Sequence, residues 1–167
     1  LDSYYKNEEV TKETLKDGWL HTGDLGHIDD DGFLYVTGRV KDIFKTSKGK
    51  YIEPSVLESY FGNIIEFQQM CVVGLGLDQP ILLAVPSEKT KSDKNEVSKK
   101  LSKFLADVNA DLDGYKKIKK IILVKEEWIP ENGLTTPTLK IKRAKIDERF
   151  SENYQDWYKS SEDVIWE

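Results

Sequence analysis

Three short apolar runs constrain the fold of this 167-residue chain more than any other feature. They cover residues 67–75, 81–85 and 121–124, and prolines at Pro80 and Pro86 bound the second run. A helix needs about 20 apolar residues to span a bilayer, so none of the runs is long enough to do so. Each run is instead suited to a buried strand. The sequence therefore predicts a small sheet with a real core.

The strongest helical pattern occupies residues 93–112, between the second and third apolar runs. Asp93 and Glu96 have the spacing of a capping box, in which two side chains satisfy the free amides of the first helical turn. Apolar residues then recur at helical intervals, which indicates a helix with one buried face. We expect this helix to end at Gly114.

Two further helices follow from local signals. Pro54 suits the first position of a helix and Gly62 suits its end, so the residues between them should be helical. A last helix is predicted to begin near Arg143, after an exposed loop at residues 129–138. The order of strands and helices indicates an α+β domain, with about three helices lying on one face of the small sheet.

Residues 1–40 differ from the rest, because they show only strand and turn signals. Residues 29–32 predict a hairpin turn, and residues 33–37 have the composition of the returning strand. The chain also begins with leucine, inside patterned sequence. We therefore expect residues 1–40 to be the edge of a larger domain and residues 41–167 to be a small second domain. Strand edges cut from their own sheet would favour self-association of this chain.

Charge and cysteine content exclude several classes of function. The net charge of −5 argues against a general nucleic-acid binder. Residues 116–145 nevertheless carry a net charge of +6, followed by −5 over residues 146–167. Two interpretations stay open: a surface that is neutralised locally, or a field that favours a polyphosphate ligand. With Cys71 as the single cysteine and no histidine motif, we predict no disulfide and no metal site.

Three polar motifs remain at predicted strand ends and loops. Residues 21–24 read His-Thr-Gly-Asp, and residues 38–42 read Gly-Arg-Val-Lys-Asp. The second motif is followed by Lys-Gly-Lys-Tyr-Ile-Glu-Pro at residues 48–54, and residues 136–143 read Thr-Pro-Thr-Leu-Lys-Ile-Lys-Arg. Each motif alone is more simply explained as a turn or a basic loop than as a functional site. Together, in this order and spacing, they are far more specific.

In this order the motifs resemble the C-terminal part of the adenylate-forming superfamily, which includes AMP-forming acyl-CoA synthetases, luciferase and the adenylation domains of peptide synthetases. The resemblance covers nearly the whole chain, since it begins at residues 4–7 and is close through residues 17–26. Residues 43–51 and 134–140 resemble the long-chain fatty acyl-CoA synthetase branch. In the latter stretch, Leu139 stands where most members have glycine.

The resemblance implies a ligase that forms acyl-AMP from a fatty acid and ATP and then transfers the acyl group to coenzyme A. Asp24 resembles the residue that binds the ribose, and a carboxylate can accept hydrogen bonds from both hydroxyls of a diol. Arg39 resembles the arginine near the ribose and α-phosphate, where a planar fork of donors suits anionic oxygens. Lys140 resembles the catalytic lysine of acyl-AMP formation, whose flexible ammonium can reach developing negative charge.

The same resemblance implies that the small domain rotates between the two half-reactions. Lys41 takes the position of the hinge, where a few residues absorb the change in backbone angles. After rotation, a turn would face coenzyme A in place of Lys140. This turn consists of Ser47, Lys48, Gly49, Lys50 and Tyr51. Its glycine is small enough to let the pantetheine arm pass.

The remainder of the site is implied to belong to an N-terminal domain of the same protein. That domain would supply the acyl pocket and hold most of the Mg²⁺ that accompanies ATP, so we expect the isolated chain to be inactive. We also expect the ligase to be cytoplasmic, with peripheral membrane association left open. Two alternatives stay open: a fatty acyl-AMP ligase that loads a carrier protein, and a stand-alone binding module with this fold.

Overall fold

The structure is a computed structural model that describes the backbone of residues 1–167 and the side chains of all of them except residues 91 and 92. The chain divides into two compact units, Leu1–Lys41 and Asp42–Glu167. The assignment of residues 1–40 to a larger domain stays a prediction.

The first unit consists of one helix and two small antiparallel sheets. Its elements are α1 (Glu8–Thr14), β1 (Leu15–Lys16), β2 (Trp19–Leu20), β3 (Asp24–Ile28) and β4 (Leu34–Arg39). Asn7 caps α1, because its side chain accepts a hydrogen bond from the Val10 amide at 3.1 Å. This helix corrects the expectation that residues 1–40 contain only strands and turns. The predicted hairpin turn at residues 29–32 is confirmed between β3 and β4.

The second unit is built on a four-stranded mixed sheet and also contains a short hairpin. Its elements are β5 (Phe44–Lys45), β6 (Tyr51–Ile52), α2 (Pro54–Ser59), β7 (Phe67–Val73), β8 (Ile81–Pro86), α3 (Lys94–Ala110), β9 (Ile121–Leu123), α4 (Arg143–Phe150), α5 (Tyr154–Lys159) and β10 (Val164–Trp166). The strand order is β10-β9-β8-β7, with β7 antiparallel to β8 and β9 parallel to both of its neighbours. The predicted α+β class and all three buried strands are confirmed. β10 is not among the predicted strands, because so short a run cannot be told from a loop.

Helices cover both faces of the four-stranded sheet, which corrects the expectation that they lie on one face. On one side, Leu83 of β8 belongs to a core that includes Ile146 of α4. On the other side, Leu82 belongs to a core with Leu57 of α2 and Leu101 of α3. Successive side chains of a strand point to opposite faces, so an unbroken apolar run such as β8 is buried on both sides. An unbroken apolar run in the sequence is therefore the signal that both faces of the sheet are covered.

The predicted starts of the helices are right, and their predicted ends are less accurate. α2 begins at Pro54, and the Asp93 side chain accepts a backbone hydrogen bond in the first turn of α3, as expected. Both helices end a few residues before the glycines that were expected to stop them. Residues 129–138 form a loop, but Leu134 and Thr135 within it are buried, so the loop is not wholly exposed. No helix in the described part of the chain is long and apolar enough to cross a membrane.

A nearly buried arginine joins the elements of the second unit. The side chain of Arg143, the first residue of α4, is only 12% exposed. Its guanidinium lies 2.8 Å from Glu58 Oε1 of α2 and 3.0 Å from Cys71 Sγ of β7. It also donates to the Val72 carbonyl and lies 3.7 Å from Asp42 Oδ2. One charged group therefore fixes α4 against β7, α2 and the first residue of the unit.

Arg143→Met should lower the free energy of unfolding by about 3 kcal/mol, because it leaves the Glu58 carboxylate largely buried without its cationic partner. Arg149→Met is the matched control, since Arg149 lies on the same helix and pairs with Glu126 at the surface. The control should lose no more than about 1 kcal/mol. Urea denaturation of both variants measures the difference, and equal losses would contradict the structural role given to Arg143.

The first unit exposes features that favour association with a second copy. Trp19, Ile28 and Leu34 are 74%, 69% and 68% exposed. Within the described residues, β3 and β4 form a two-stranded sheet whose outer edges pair with no further strand. Removal of residues 1–36 should therefore abolish self-association of the isolated chain. Light scattering of both forms over a concentration series tests this, and monomeric behaviour of the intact chain would refute it.

Candidate functional site

Asp24 and Arg39 face each other at the open end of the β3–β4 hairpin. Asp24 is the first residue of β3 and Arg39 the last of β4, and the strand register places them opposite each other. Arg39 Nε lies 3.4 Å from Asp24 Oδ1. This contact uses one carboxylate oxygen and one guanidinium nitrogen, so the other polar atoms of both side chains are open to a ligand. The arrangement suits a ligand that carries hydroxyls beside an anionic group.

Gly26 fixes the path of the strand next to Asp24. The strand register shifts between Leu25 and Gly26, which marks a bulge. A Cβ atom at position 26 would lie 2.5 Å from the Tyr35 carbonyl oxygen. Only glycine therefore allows this close approach of the two backbones, which keeps Asp24 aligned with Arg39.

A cavity of about 760 Å³ lies in the first unit beside this pair. Its lining consists of Tyr4, Glu13, Thr14, Leu20, His21, Thr22, Gly23, Asp24, Val40 and Lys41. The His-Thr-Gly-Asp motif and the predicted hinge residue thus contribute to one cavity wall. Two backbone hydrogen bonds hold that wall, from the His21 amide to Thr14 and from the Val40 amide to Gly23.

The predicted coenzyme A-facing turn connects β5 and β6. Gly49 has a φ of 78°, which glycine adopts without strain, and its amide donates to the Thr46 carbonyl at 3.0 Å. Thr46 is buried, and its hydroxyl also accepts from the Lys50 amide at 3.1 Å. Both hydrogen bonds end on the buried Thr46, so this one residue holds the turn in its conformation. The ammonium of Lys50 lies 5.7 Å from the centre of the Tyr115 ring.

Asp78 holds two of the turn's side chains. Its carboxylate accepts a hydrogen bond from Ser47 Oγ and lies 2.9 Å from Lys48 Nζ. The hydrogen bond from Ser47, together with that from Lys48, lowers the pKa of Asp78. The hydrogen bond to Asp78 and its negative charge raise the pKa of Lys48. Both groups therefore stay charged around neutral pH.

Lys140 lies at the end of a tight exposed loop. The Thr136 amide donates to the Lys140 carbonyl at 2.8 Å, and the Lys140 amide donates to Thr136 Oγ1 at 3.1 Å. An antiparallel bridge between Thr135 and Ile141 closes the base of the loop. Because that base is held by a buried residue and the lysine side chain is exposed, the ammonium is presented to solvent on a fixed support.

Leu139 has a left-handed backbone conformation, with a φ of 60°. L-residues other than asparagine and aspartate seldom adopt this conformation, because Cβ approaches the following carbonyl oxygen. Leu139 is also 62% exposed, so its side chain contributes little packing in return. The position therefore favours glycine.

Several lysines of the basic segment are neutralised locally. Lys116 Nζ lies 2.8 Å from Asp113 Oδ2, and Lys145 Nζ lies 2.6 Å from Glu148 Oε2. Hydrogen bonding to Asp113 raises the pKa of Lys116. Among the residues whose side chains the structure describes, Lys140 forms no ion pair. Among the described side chains, the segment is thus a mixed surface of paired and unpaired lysines, and Lys140 belongs to the unpaired ones.

The predicted site residues fall into groups that the structure brings together only in part. Asp24, Arg39 and Lys41 belong to the first unit. Asp24 pairs there with Arg39, and Asp24 and Lys41 line the same cavity. In the second unit, no hydrogen bond or ion pair between described residues joins the turn at residues 47–51 to Lys140. The ligands of all these residues stay predictions. Where the side chains are described, no group of three or more His, Cys, Asp or Glu residues is arranged to hold a metal ion.

No motif in the sequence singled out Asp78 or Glu58. Asp78 lies 31 residues from Ser47, and Glu58 lies 85 residues from Arg143. No local pattern connects residues at such separations. Asp42 and Arg143 end the second and third motifs, but the contact between them depends on how α4 packs.

A family model described as the AMP-binding enzyme C-terminal domain matches residues 41–162. The chain is 32% identical to fatty acyl-CoA synthetase B of Dictyostelium discoideum, over 93% of this chain and 26% of that protein. It is 31% identical to a long-chain fatty acid–CoA ligase of Mycobacterium tuberculosis, over 95% of this chain and 29% of that protein.

Among solved structures, the chain is similar to the adenylation domain of a carboxylate reductase from Mycobacterium chelonae. The TM-score is 0.78 at 23% identity, and the match covers 95% of this chain and 26% of that one. At this level of identity, the similarity shows that the two chains share a fold and nothing more. The chain spans only 26–29% of the length of the relatives named above.

Leu139→Gly should raise the free energy of unfolding by about 1 kcal/mol relative to Leu139→Ala, because both remove the exposed side chain but only glycine removes the Cβ clash at positive φ. Leu139→Ala is therefore the matched control. Thermal and urea denaturation measure the difference. A glycine variant no more stable than the alanine variant would contradict the left-handed conformation.

Proposed function

The chain belongs to the AMP-binding enzyme C-terminal domain family, and on that premise we propose that it is the C-terminal domain of a long-chain fatty acid–CoA ligase. The observation that carries the proposal is similarity to fatty acyl-CoA synthetases over 93–95% of this chain, which includes both units. Since the chain spans less than a third of those proteins, the activity is proposed for the full-length enzyme. The domain assignment of residues 1–40 and 41–167 is part of the proposal.

The proposed reaction has two balanced half-reactions. First, a carboxylate oxygen of the fatty acid attacks the α-phosphorus of ATP, a new oxygen–phosphorus bond forms, and pyrophosphate leaves. Second, the thiol of coenzyme A loses its proton to solvent and its sulfur attacks the acyl carbonyl carbon. A carbon–sulfur bond forms, the bond between that carbon and the phosphate oxygen breaks, and AMP leaves. Mg²⁺ accompanies ATP and is held mainly by the part of the ligase outside this chain.

Asp24 and Arg39 are proposed to bind the AMP moiety. Asp24 would accept hydrogen bonds from the ribose hydroxyls, and Arg39 would donate to the ribose and the α-phosphate. Their contact at 3.4 Å supports this, because it holds both side chains at one end of a rigid hairpin while leaving polar atoms of each exposed. A nucleotide carries both ribose hydroxyls, which can donate to a carboxylate, and anionic phosphate oxygens, which can accept from a guanidinium.

Lys140 is proposed as the catalytic lysine of acyl-AMP formation. As the carboxylate meets the α-phosphate, negative charge gathers on the oxygens between them, and a positioned ammonium stabilises it. The loop geometry supports this role, since Thr136 and the bridge at Thr135 hold the backbone while the side chain stays exposed. The absence of an ion pair within the described residues leaves its charge available to a substrate.

The hinge and the turn are proposed to serve the second half-reaction. Lys41 directly precedes Asp42, which the Arg143 guanidinium holds within the second unit. Rotation at Lys41 would withdraw Lys140 and present the turn of Ser47, Lys48, Gly49, Lys50 and Tyr51 to coenzyme A. The open space around the Gly49 Cα, where an added Cβ would meet only Lys45 Cε at 3.6 Å, supports a passage for the pantetheine arm.

Two alternatives make different predictions. A fatty acyl-AMP ligase would transfer the acyl group to a holo carrier protein in preference to coenzyme A, so parallel assays of the full-length enzyme with both acceptors separate the two. A stand-alone binding module would bind a ligand without turnover. The family membership favours the ligase over the module, and the cytoplasmic location stays a prediction.

Lys140→Ala in the full-length enzyme should slow acyl-AMP formation by about 10²–10³-fold, the usual loss when one preorganised electrostatic donor is removed. It should leave the conversion of preformed acyl-AMP and coenzyme A to thioester intact, because Lys140 is then withdrawn. Gly49→Leu should do the reverse, since its side chain would block the pantetheine path. Lys41→Pro should behave like Gly49→Leu, because a fixed φ hinders rotation.

Pyrophosphate exchange measures the first half-reaction, and single-turnover thioester formation from acyl-AMP measures the second. If Lys140→Ala slows both steps equally, the assignment of Lys140 to adenylation alone is wrong. If Gly49→Leu slows neither, the turn does not face coenzyme A. An enzyme that adenylates a fatty acid but forms thioester only on a carrier protein would replace the ligase proposal with its first alternative.

A further inference from the structure

We propose that Asp78 is the positioning residue of the coenzyme A-facing turn, and that thioester formation depends on it while acyl-AMP formation does not. The inference rests on the proposed function and goes beyond it, because Asp78 lies outside every motif that carries the family resemblance. Its carboxylate contacts Ser47 and Lys48, two residues expected to face coenzyme A.

Asp78 is itself fixed to the core of the second unit. The preceding residue, Leu77, is 2% exposed and belongs to the core on the α4 side of the sheet. The Leu77 amide also donates to the Gly74 carbonyl at 3.0 Å. The loop before β8 is therefore anchored by a buried side chain and its own backbone, and the Asp78 carboxylate projects from a fixed base.

Backbone contacts align the turn with this loop. The Ser47 amide donates to the Leu77 carbonyl at 2.9 Å, and the Gly76 amide donates to the Lys45 carbonyl at 3.3 Å. These bonds set the position of the turn's first half. They do not set the directions of the Ser47 and Lys48 side chains, which depend on the two contacts to Asp78.

One carboxylate therefore controls two side chains with different chemistry. Ser47 donates a hydroxyl hydrogen, and Lys48 contributes a positive charge at the end of a side chain that is 71% exposed. Without Asp78, the Lys48 ammonium would be mobile and the Ser47 hydroxyl undirected. Because a thiol must approach the acyl carbonyl along a narrow path, disorder in the turn should reduce the rate constant of thioester formation.

The test uses the full-length ligase and three variants: Asp78→Asn, Asp78→Glu and Asp113→Asn. Asp113→Asn is the matched control, because Asp113 is also an exposed aspartate paired with a lysine at 2.8 Å. Pyrophosphate exchange with palmitate and ATP measures the first half-reaction. Single-turnover thioester formation from palmitoyl-AMP and coenzyme A, over a range of coenzyme A concentrations, measures the second.

Asp78→Asn should reduce the single-turnover rate constant at saturating coenzyme A by about tenfold, as expected when a reacting path is misaligned, and should leave pyrophosphate exchange unchanged. Asp78→Glu should recover part of the rate, because it restores the negative charge. Asp113→Asn should alter neither step. In a Ser47→Ala/Lys48→Met background, Asp78→Asn should have no further effect, because the residues through which it acts are gone.

The proposal is overturned if Asp78→Asn forms thioester at the wild-type rate, slows both half-reactions alike, or remains fully effective in the Ser47→Ala/Lys48→Met background. A wild-type enzyme that adenylates palmitate but makes no thioester with coenzyme A would overturn the proposed function, and the inference with it. The two failures are distinguishable, because the first appears only in the variants and the second already in the wild type.

Discussion

The second unit depends on the buried charge of Arg143. A guanidinium removed from water needs protein groups to balance its charge, so its partners cannot move away freely. Here the partners come from α2, β7 and the first residue of the unit, Asp42. Because Lys140 lies three residues before Arg143, and Lys41 directly before Asp42, the same charge supports two segments that the proposed reaction uses.

The residues that stabilise the fold are different from those predicted to contact substrates. The four-stranded sheet is buried on both faces, and its strands carry almost entirely apolar side chains. The predicted site residues therefore lie at strand ends and in turns, where side chains reach solvent and the backbone is still held by a rigid scaffold. Asp24 and Arg39 end two paired strands, Lys140 ends a closed loop, and residues 47–51 turn between β5 and β6.

Two sites show how local geometry limits the choice of residue. At Gly26 the opposing backbone leaves no space for a Cβ atom, so glycine is required for the hairpin to keep its register. At position 139 the backbone is left-handed, yet the residue is leucine, so the loop accepts strain that glycine would avoid. The loop nevertheless keeps its hydrogen bonds to Thr136, which shows that neighbouring contacts determine its path.

The sequence by itself determined the three buried strands, the starts of α2, α3 and α4, the α+β class and the family, because those features depend on local periodicity, capping residues and short motifs. Only the tertiary structure decided which helices cover which face of the sheet and that β10 joins its edge. It also decided the partners of Arg143 and the contacts of Asp78 with the turn. These contacts join residues from 30 to more than 80 positions apart, and no pattern confined to one segment encodes them. They arise only when packing of the apolar faces brings distant polar groups together and the cost of burying charge selects the partners that remain in contact.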